Sequence, residues 1–229
     1  MLNKQTLFSF SLCLLLAFSA LAQTTHDKKR IAILGFKRFE FQSDYSLKEI
    51  MDINQLSSQD EVYELYNDAV LNEISIQTPD LSLFKLPKGE SESLQRRIPV
   101  VYKEKPSSHL GVDIRYLKER NRMNTLLTNM SADYLLVLTE YKIKSSLTTK
   151  IATDDGSKIL KWSVHQISYE LFDKEAKLVI FGDQIDLKPL GPKKNTMYDM
   201  GVAIDLIKDA YITIVEDIEN KLKEKNLRK

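Results

Sequence analysis

A chain of 229 residues with 33 basic and 32 acidic side chains has no charge surplus with which to hold nucleic acid or an acidic polymer, so that partner class is set aside. Its single cysteine excludes a disulfide framework and a cysteine-based metal site. A length near 200 residues suffices for one domain to stabilise itself through its core alone.

The amino terminus reads as an export signal. Lys4 in "MLNK" precedes the apolar run "LFSFSLCLLLAFSALA" at 7–22, which closes on small residues before Gln23. The pattern predicts a signal peptide over residues 1–22, cleaved after Ala22. The competing reading is a retained anchor, but a spanning helix needs roughly 20 apolar residues, and no basic cluster follows the run directly. Cys13 sits within the run, not behind a small-residue box, so it is not read as a lipid acceptor. Cleavage removes this cysteine and Lys4, leaving the acids and bases of residues 23–229 in balance.

"RIAILGF" (30–36) is a short continuous apolar run, the pattern of a strand covered on both faces. Ser46 with Glu49, and Ser58 with Glu61, have capping-box spacing and predict two helices. In the second, Val62, Leu65, Tyr66, Ala69, Val70 and Ile74 recur on one helical face. Pro79 and Asp80 end it, and "LSLFKL" (81–86) follows as a strand, which makes a parallel crossover unit. Residues 87–112 are rich in Pro, Gly, Ser and charge, and are expected to form one long irregular segment. A helix is expected from about Asp113 to Met130.

"DYLLVLTEYKIK" (133–144) then changes character along its length. Residues 134–138 are all apolar or aromatic, whereas beyond Thr139 polar residues alternate with Tyr141 and Ile143. Such a strand passes from two-sided to one-sided burial. "KILKWSVHQISYELFD" and "KLVIFGDQIDL" supply two further strands of an antiparallel meander. After "PLGP", Asn195 or Thr196 caps a predicted helix of about 30 residues. Its Met200, Ile204, Ile207, Tyr211, Ile214, Ile218 and Leu222 step by three and four. Its basic end, 220–229, suits the negative pole of a helix dipole. The expected fold is α/β, with residues 23–229 as a single domain. Its mixed sheet has about five strands, parallel units followed by a meander, flanked by helices and completed by a long C-terminal helix.

Reactive chemistry finds little support. His26, His109 and His165 lack metal-ligand spacing and read as structural, so neither a metal nor a cofactor is expected. Glycines occur singly, without a phosphate loop or a nucleophile elbow. Asp154 and Asp155 before Gly156 read as a hairpin turn, and Trp162 as a packing residue at a sheet rim. Two segments suit binding instead. "KRFEF" follows the first strand, at the sheet end where α/β folds gather ligands. Its Lys37, Arg38, Phe39 and Phe41 alternate cations with aromatics, residue types that dominate interfaces; a solvated strand continuation is the other reading. "QRRIPVVYKEK" (95–105) holds an apolar island between cationic ends, with Arg96, Arg97 and Tyr102. Such a segment suits addition to a sheet edge or docking of a partner.

The order strand, helix, strand, helix, strand, hairpin, helix is similar to that of bacterial envelope α/β proteins. These include the amino-terminal domain of TolB, the curli-secretion protein CsgG and the penicillin-binding-protein activator LpoB. "RIAILGF" resembles their opening strand, "SADYLLVL" their lead-in to the middle strand, and "ISYELFDKEAKLVIFGDQI" their hairpin. The chain departs from them in lacking the usual Gly before "AD" and a lipid-accepting cysteine, and in its longer segments at 37–60 and 87–112. The resemblance, the export signal and the two contact segments imply a non-enzymatic interaction or assembly module. Its place would be the bacterial periplasm or outer-membrane periphery, without a transmembrane helix after signal cleavage. Its partner would be another envelope protein or a second copy. Two alternatives stay open: a soluble binder of a small anionic or saccharide ligand, and a hydrolase with an unrecognised carboxylate site.

Overall fold

The structure is a computed structural model that describes residues 28–103, 109–117, 120–153, 156–187 and 202–225. The expected signal peptide, the Asp154–Asp155 turn and the cap at Asn195 or Thr196 lie outside these residues. The elements run β1 (Lys29–Leu34), β2 (Phe41–Ser43), α1 (Leu47–Asn54), α2 (Gln59–Ile74), β3 (Leu81–Lys85), α3 (Lys88–Arg97), β4 (Val100–Lys103) and β5 (His109–Val112). Then follow α4 (Arg120–Asn129), β6 (Tyr134–Thr153), β7 (Gly156–Phe172), β8 (Leu178–Leu187), α5 (Ile204–Ile207) and α6 (Ile212–Glu224).

One mixed sheet organises the molecule, in the order β3-β1-β6-β7-β8, with β2 also paired to β6. β3, β1 and β6 are parallel, and β6, β7 and β8 antiparallel. The sheet has six strands where about five were expected; the addition is the three-residue β2.

Alternation along the strands divides the apolar side chains between two cores. Ile31 and Ile33 of β1, with Leu136 and Leu138 of β6, face the helices α1, α2 and α6. Ala32, Leu34, Leu135 and Val137 face α3, α4 and the β4–β5 hairpin. Each of these residues is buried, which is why β1 and the start of β6 contain no polar alternation. Full burial of one such aliphatic side chain stabilises by roughly 1.5–3 kcal/mol. A register irregularity between Leu138 and Glu140 then returns Tyr141 and Ile143 to the first core.

The caps follow the sequence signals. Ser46 accepts from the Glu49 N–H at 3.2 Å, and Glu49 accepts from the Ser46 N–H at 2.9 Å, a complete capping box at α1. At α2, Ser58 accepts from the Glu61 N–H, but the Glu61 carboxylate reaches back to the Ser57 N–H.

Three expectations are corrected. Residues 87–112 are not one irregular segment: they hold α3 and, at β4 and β5, an antiparallel pair. The helix expected from Asp113 to Met130 is a 3-10 turn at Ile114–Tyr116 followed by α4. At the C-terminal end, α5 and α6 are joined by a 3-10 stretch, Lys208–Tyr211, and α6 ends at Glu224. Among the described residues, no helix is long and apolar enough to cross a membrane.

Candidate functional site

The first contact segment is an excursion from a strand. Leu34 lies opposite Val137 and Phe41 opposite Tyr141, so the chain spends seven residues where its partner spends four. The surplus forms a 3-10 turn at Arg38–Glu40. Gly35 opens it because a Cβ there would lie 2.2 Å from Asn67 Oδ1, closer than packing allows. Phe36 is driven inward against Tyr63 and Tyr141, which anchors the turn's near end.

Glu40 fixes the far end. Its carboxylate is fully buried, with Oε2 accepting from the Lys37 N–H at 2.7 Å and Oε1 from the Val112 N–H at 2.8 Å. It therefore clamps the excursion onto β5. A second tie runs to α3: Lys37 Nζ donates to the Gln95 carbonyl, and Gln95 Nε2 donates to the Gly35 carbonyl at 3.1 Å. Burial pulls the Lys37 ammonium below its usual pKa, opposed by the nearby Glu40 carboxylate.

The two segments singled out in the sequence thus meet. Val100 lies opposite Val112, whose N–H is held by Glu40, the neighbour of Phe39. Three large apolar side chains are exposed here: Phe39 at 39%, Val100 at 47% and Tyr102 at 64%. Burying them would recover hydrophobic free energy, and patches of this kind mark interaction sites. β4 pairs with β5 alone, so its other edge is open among the described residues, ready for an added strand.

The individual candidates fare differently. Arg38 is exposed and paired with Asp60. Lys37 is tied to Gln95 and lies 5.8 Å from the Phe39 ring centroid. Arg96 is exposed and pairs with Glu92 one turn away, and Arg97, also exposed, ends α3. Phe41 is only partly buried, but it stacks on Tyr66 and Tyr141 at the edge of the core, so it supports the site without belonging to its surface. Glu40, Gln95 and Val100 were missed. Glu40 left a weak trace, its three-residue spacing from Lys37.

A second concavity lies between α3 and α4. This cleft of about 870 Å³ is lined by Glu90, Ser93, Leu94, Asn121, Arg122 and Asn129, among others. Arg122 Nη2 donates to Ser93 Oγ across it at 3.2 Å. Among the described residues that line it, Glu90 is the one carboxylate.

His165, read as structural, is fully buried, its Nδ1 2.7 Å from Tyr141 Oη and its Nε2 3.2 Å from Ser163 Oγ. Tyr141 also meets Tyr211 at 2.8 Å. Burial, chiefly, raises the phenols of Tyr66, Tyr141 and Tyr211, and it pushes Tyr63 up to about 12, with Glu40, Asp68 and Glu64 adding to the shift. These groups keep neutral hydroxyls hydrogen-bonded inside the core.

No family model and no curated protein matches the chain. Among solved structures, three bacterial proteins align with the chain at low similarity. A homolog of a neuraminyllactose-binding hemagglutinin from Helicobacter pylori is 9% identical over 90% of this chain and 88% of its own, at a TM-score of 0.37. A hypothetical protein from Chlamydia trachomatis is 11% identical over 82% of this chain and 96% of its own, at 0.33. A lipoprotein from Neisseria meningitidis is 12% identical over 84% of this chain and 99% of its own, at 0.26. Similarity at this level carries no functional argument.

Proposed function

We propose that the chain is a non-enzymatic, exported interaction module of the bacterial envelope. It docks another envelope protein at the face built by residues 37–40, the end of α3 and the β4–β5 hairpin. One observation carries the reading: among the described residues β4 pairs with β5 alone, and Val100, Tyr102 and Phe39 are left exposed around it. A partner segment added along β4 would form main-chain hydrogen bonds, with these apolar side chains giving specificity.

Photo-crosslinking in the parent envelope tests this. A photoreactive residue at Tyr102 is expected to give a discrete adduct that Val100→Asp removes while the melting temperature holds. The same residue at Lys48, exposed on α1, should give none. Absence of an adduct at 102, or equal adducts at both positions, would sink the proposal. Light scattering of the purified chain separates a second copy from a different partner.

The α3–α4 cleft supports a second reading, a soluble saccharide binder. Its hydroxyls and carboxamides offer both donors and acceptors, and among the described lining residues Arg122 balances Glu90. A saccharide panel should then raise the melting temperature in a manner that Arg122→Ala abolishes. A flat response removes this reading.

A further inference from the structure

The cleft between α3 and α4 has two chemically distinct parts. Its floor is apolar: Leu94 is buried, and Leu126 and Met130 are partly buried against the second core. Its α4 wall is a stripe of carboxamides and a hydroxyl. Asn121, Thr125 and Asn129 line the cleft at steps of four, so they share one face of the helix, and all three are exposed. At about 1.5 Å per residue the stripe runs roughly 12 Å. Thr125 Oγ1 donates to the Asn121 carbonyl at 3.0 Å, which leaves its oxygen able to accept from an incoming donor. The Arg122–Ser93 hydrogen bond ties this wall to α3.

The two parts place different demands on one ligand. A carboxamide brings donors and acceptors together, the complement of a ligand amide. An apolar floor takes methyl groups and disfavours hydroxyls, whose burial without a partner costs free energy. A chain of plain hexoses has hydroxyls for the wall and no methyl for the floor. An acetamido group supplies both, with its N–H and C=O at the wall and its methyl below. Among the described lining residues the charges balance, which suits a neutral ligand. A cleft of about 870 Å³ is far larger than one sugar ring, so the fit is to several. An extended peptide also repeats amides, but it is held by main-chain bonds along a strand edge. Both walls here are helices, whose main-chain groups bond within the helix.

We propose that the α3–α4 cleft binds a neutral oligosaccharide of N-acetylated amino sugars. Its acetamido groups bond to Asn121 and Asn129, and their methyls rest on Leu94, Leu126 and Met130. This rests on the saccharide reading of the cleft and names the sugar class; it does not require the docking face at β4.

Calorimetric titration of the purified exported chain tests this with tri-N-acetylchitotriose and cellotriose, which share ring and linkage and differ at the acetamido group. The acetylated trimer is expected to bind about ten-fold tighter than cellotriose. Asn129→Ala should weaken the acetylated trimer about five-fold, and Thr125→Trp, which fills the middle of the stripe, should abolish its binding. Both positions are exposed, so the melting temperature of the free chain should hold. Where Asn129→Ala fails to fold, Asn121→Ala should show the same loss. Equal affinity for the two trimers would overturn the proposal while leaving the saccharide reading in place. A preference for the acetylated trimer that survives in both asparagine variants would overturn it too. A flat response to both trimers and to the wider saccharide panel removes the proposal and the reading beneath it. Binding of trialanine in place of either trimer, lost in Asn129→Ala, would assign the cleft to peptides and overturn the proposal.

Discussion

β6 contrasts two regions of one strand. From Leu135 to Val137 it has neighbours on both edges and a core on each face, and each of these side chains is buried. Past Ile143, among the described residues, the same strand pairs with β7 alone. The first stretch is shaped by burial on both faces, so its residues are near-uniformly apolar. The second, which among the described residues pairs with β7 alone, is rich in Ser, Thr and Lys. Strand structure and core membership are thus separate properties, and a sequence signal that reports one can miss the other.

The contrast breaks most visibly in the body. Leu136→Ala is expected to cost about 3 kcal/mol through lost burial and a residual cavity, read as a fall in the urea midpoint. A loss under about 1 kcal/mol would mean that the two-core description is wrong. Tyr141→Phe removes the hydroxyl that meets both His165 and Tyr211. Stranding those buried groups should cost about 1.5 kcal/mol, while the isosteric ring keeps the fold and its circular dichroism.

Alkali sharpens the comparison without mutation. Tyr63 is held up to about 12 in the fold by burial, against about 10 for a free phenol, and Tyr66, Tyr141 and Tyr211 are raised as well. A group raised by folding stabilises fully below its unfolded pKa and loses that contribution as pH climbs through the folded one. The melting temperature should therefore hold to about pH 10 and fall between there and about 12, together with tyrosine ionisation at 295 nm. Ionisation of these phenols near pH 10 with an unchanged melt would contradict the buried cluster. The smallest effect belongs to the exposed stretch of β6: Ser145→Ala should alter stability by no more than about 0.5 kcal/mol, although Ser145 is in the same strand as Leu136.

What was legible in the sequence follows the same division. The apolar runs of β1 and β6, the Ser46 and Ser58 caps and the β7–β8 hairpin announced themselves, because each combines a periodicity with a boundary signal. α3 did not: Leu94 is the one fully buried side chain in ten residues, too sparse to form a period. β2 has only three residues, and what makes it a strand is the long edge of β6 beside it, which no local pattern can show. Of the candidate site, Arg38, Phe39 and Tyr102 were singled out in the sequence, and all three are exposed. Their convergence was not legible there, because the ties run through backbone groups, from Lys37 to the Gln95 carbonyl and from Val112 N–H to Glu40. Main-chain partners leave no mark on residue identity.

The seven-for-four excursion between β1 and β2 makes the length of this loop a structural constant. Because β2 must rejoin β6 with Phe41 opposite Tyr141, deleting one residue from 35–40 would slide the strand by one position and invert which side chains point inward. Gln42 would be turned toward the aromatic stack in place of Phe41. Evolution can therefore repaint the tip of this loop freely, but indels there should be far rarer than substitutions.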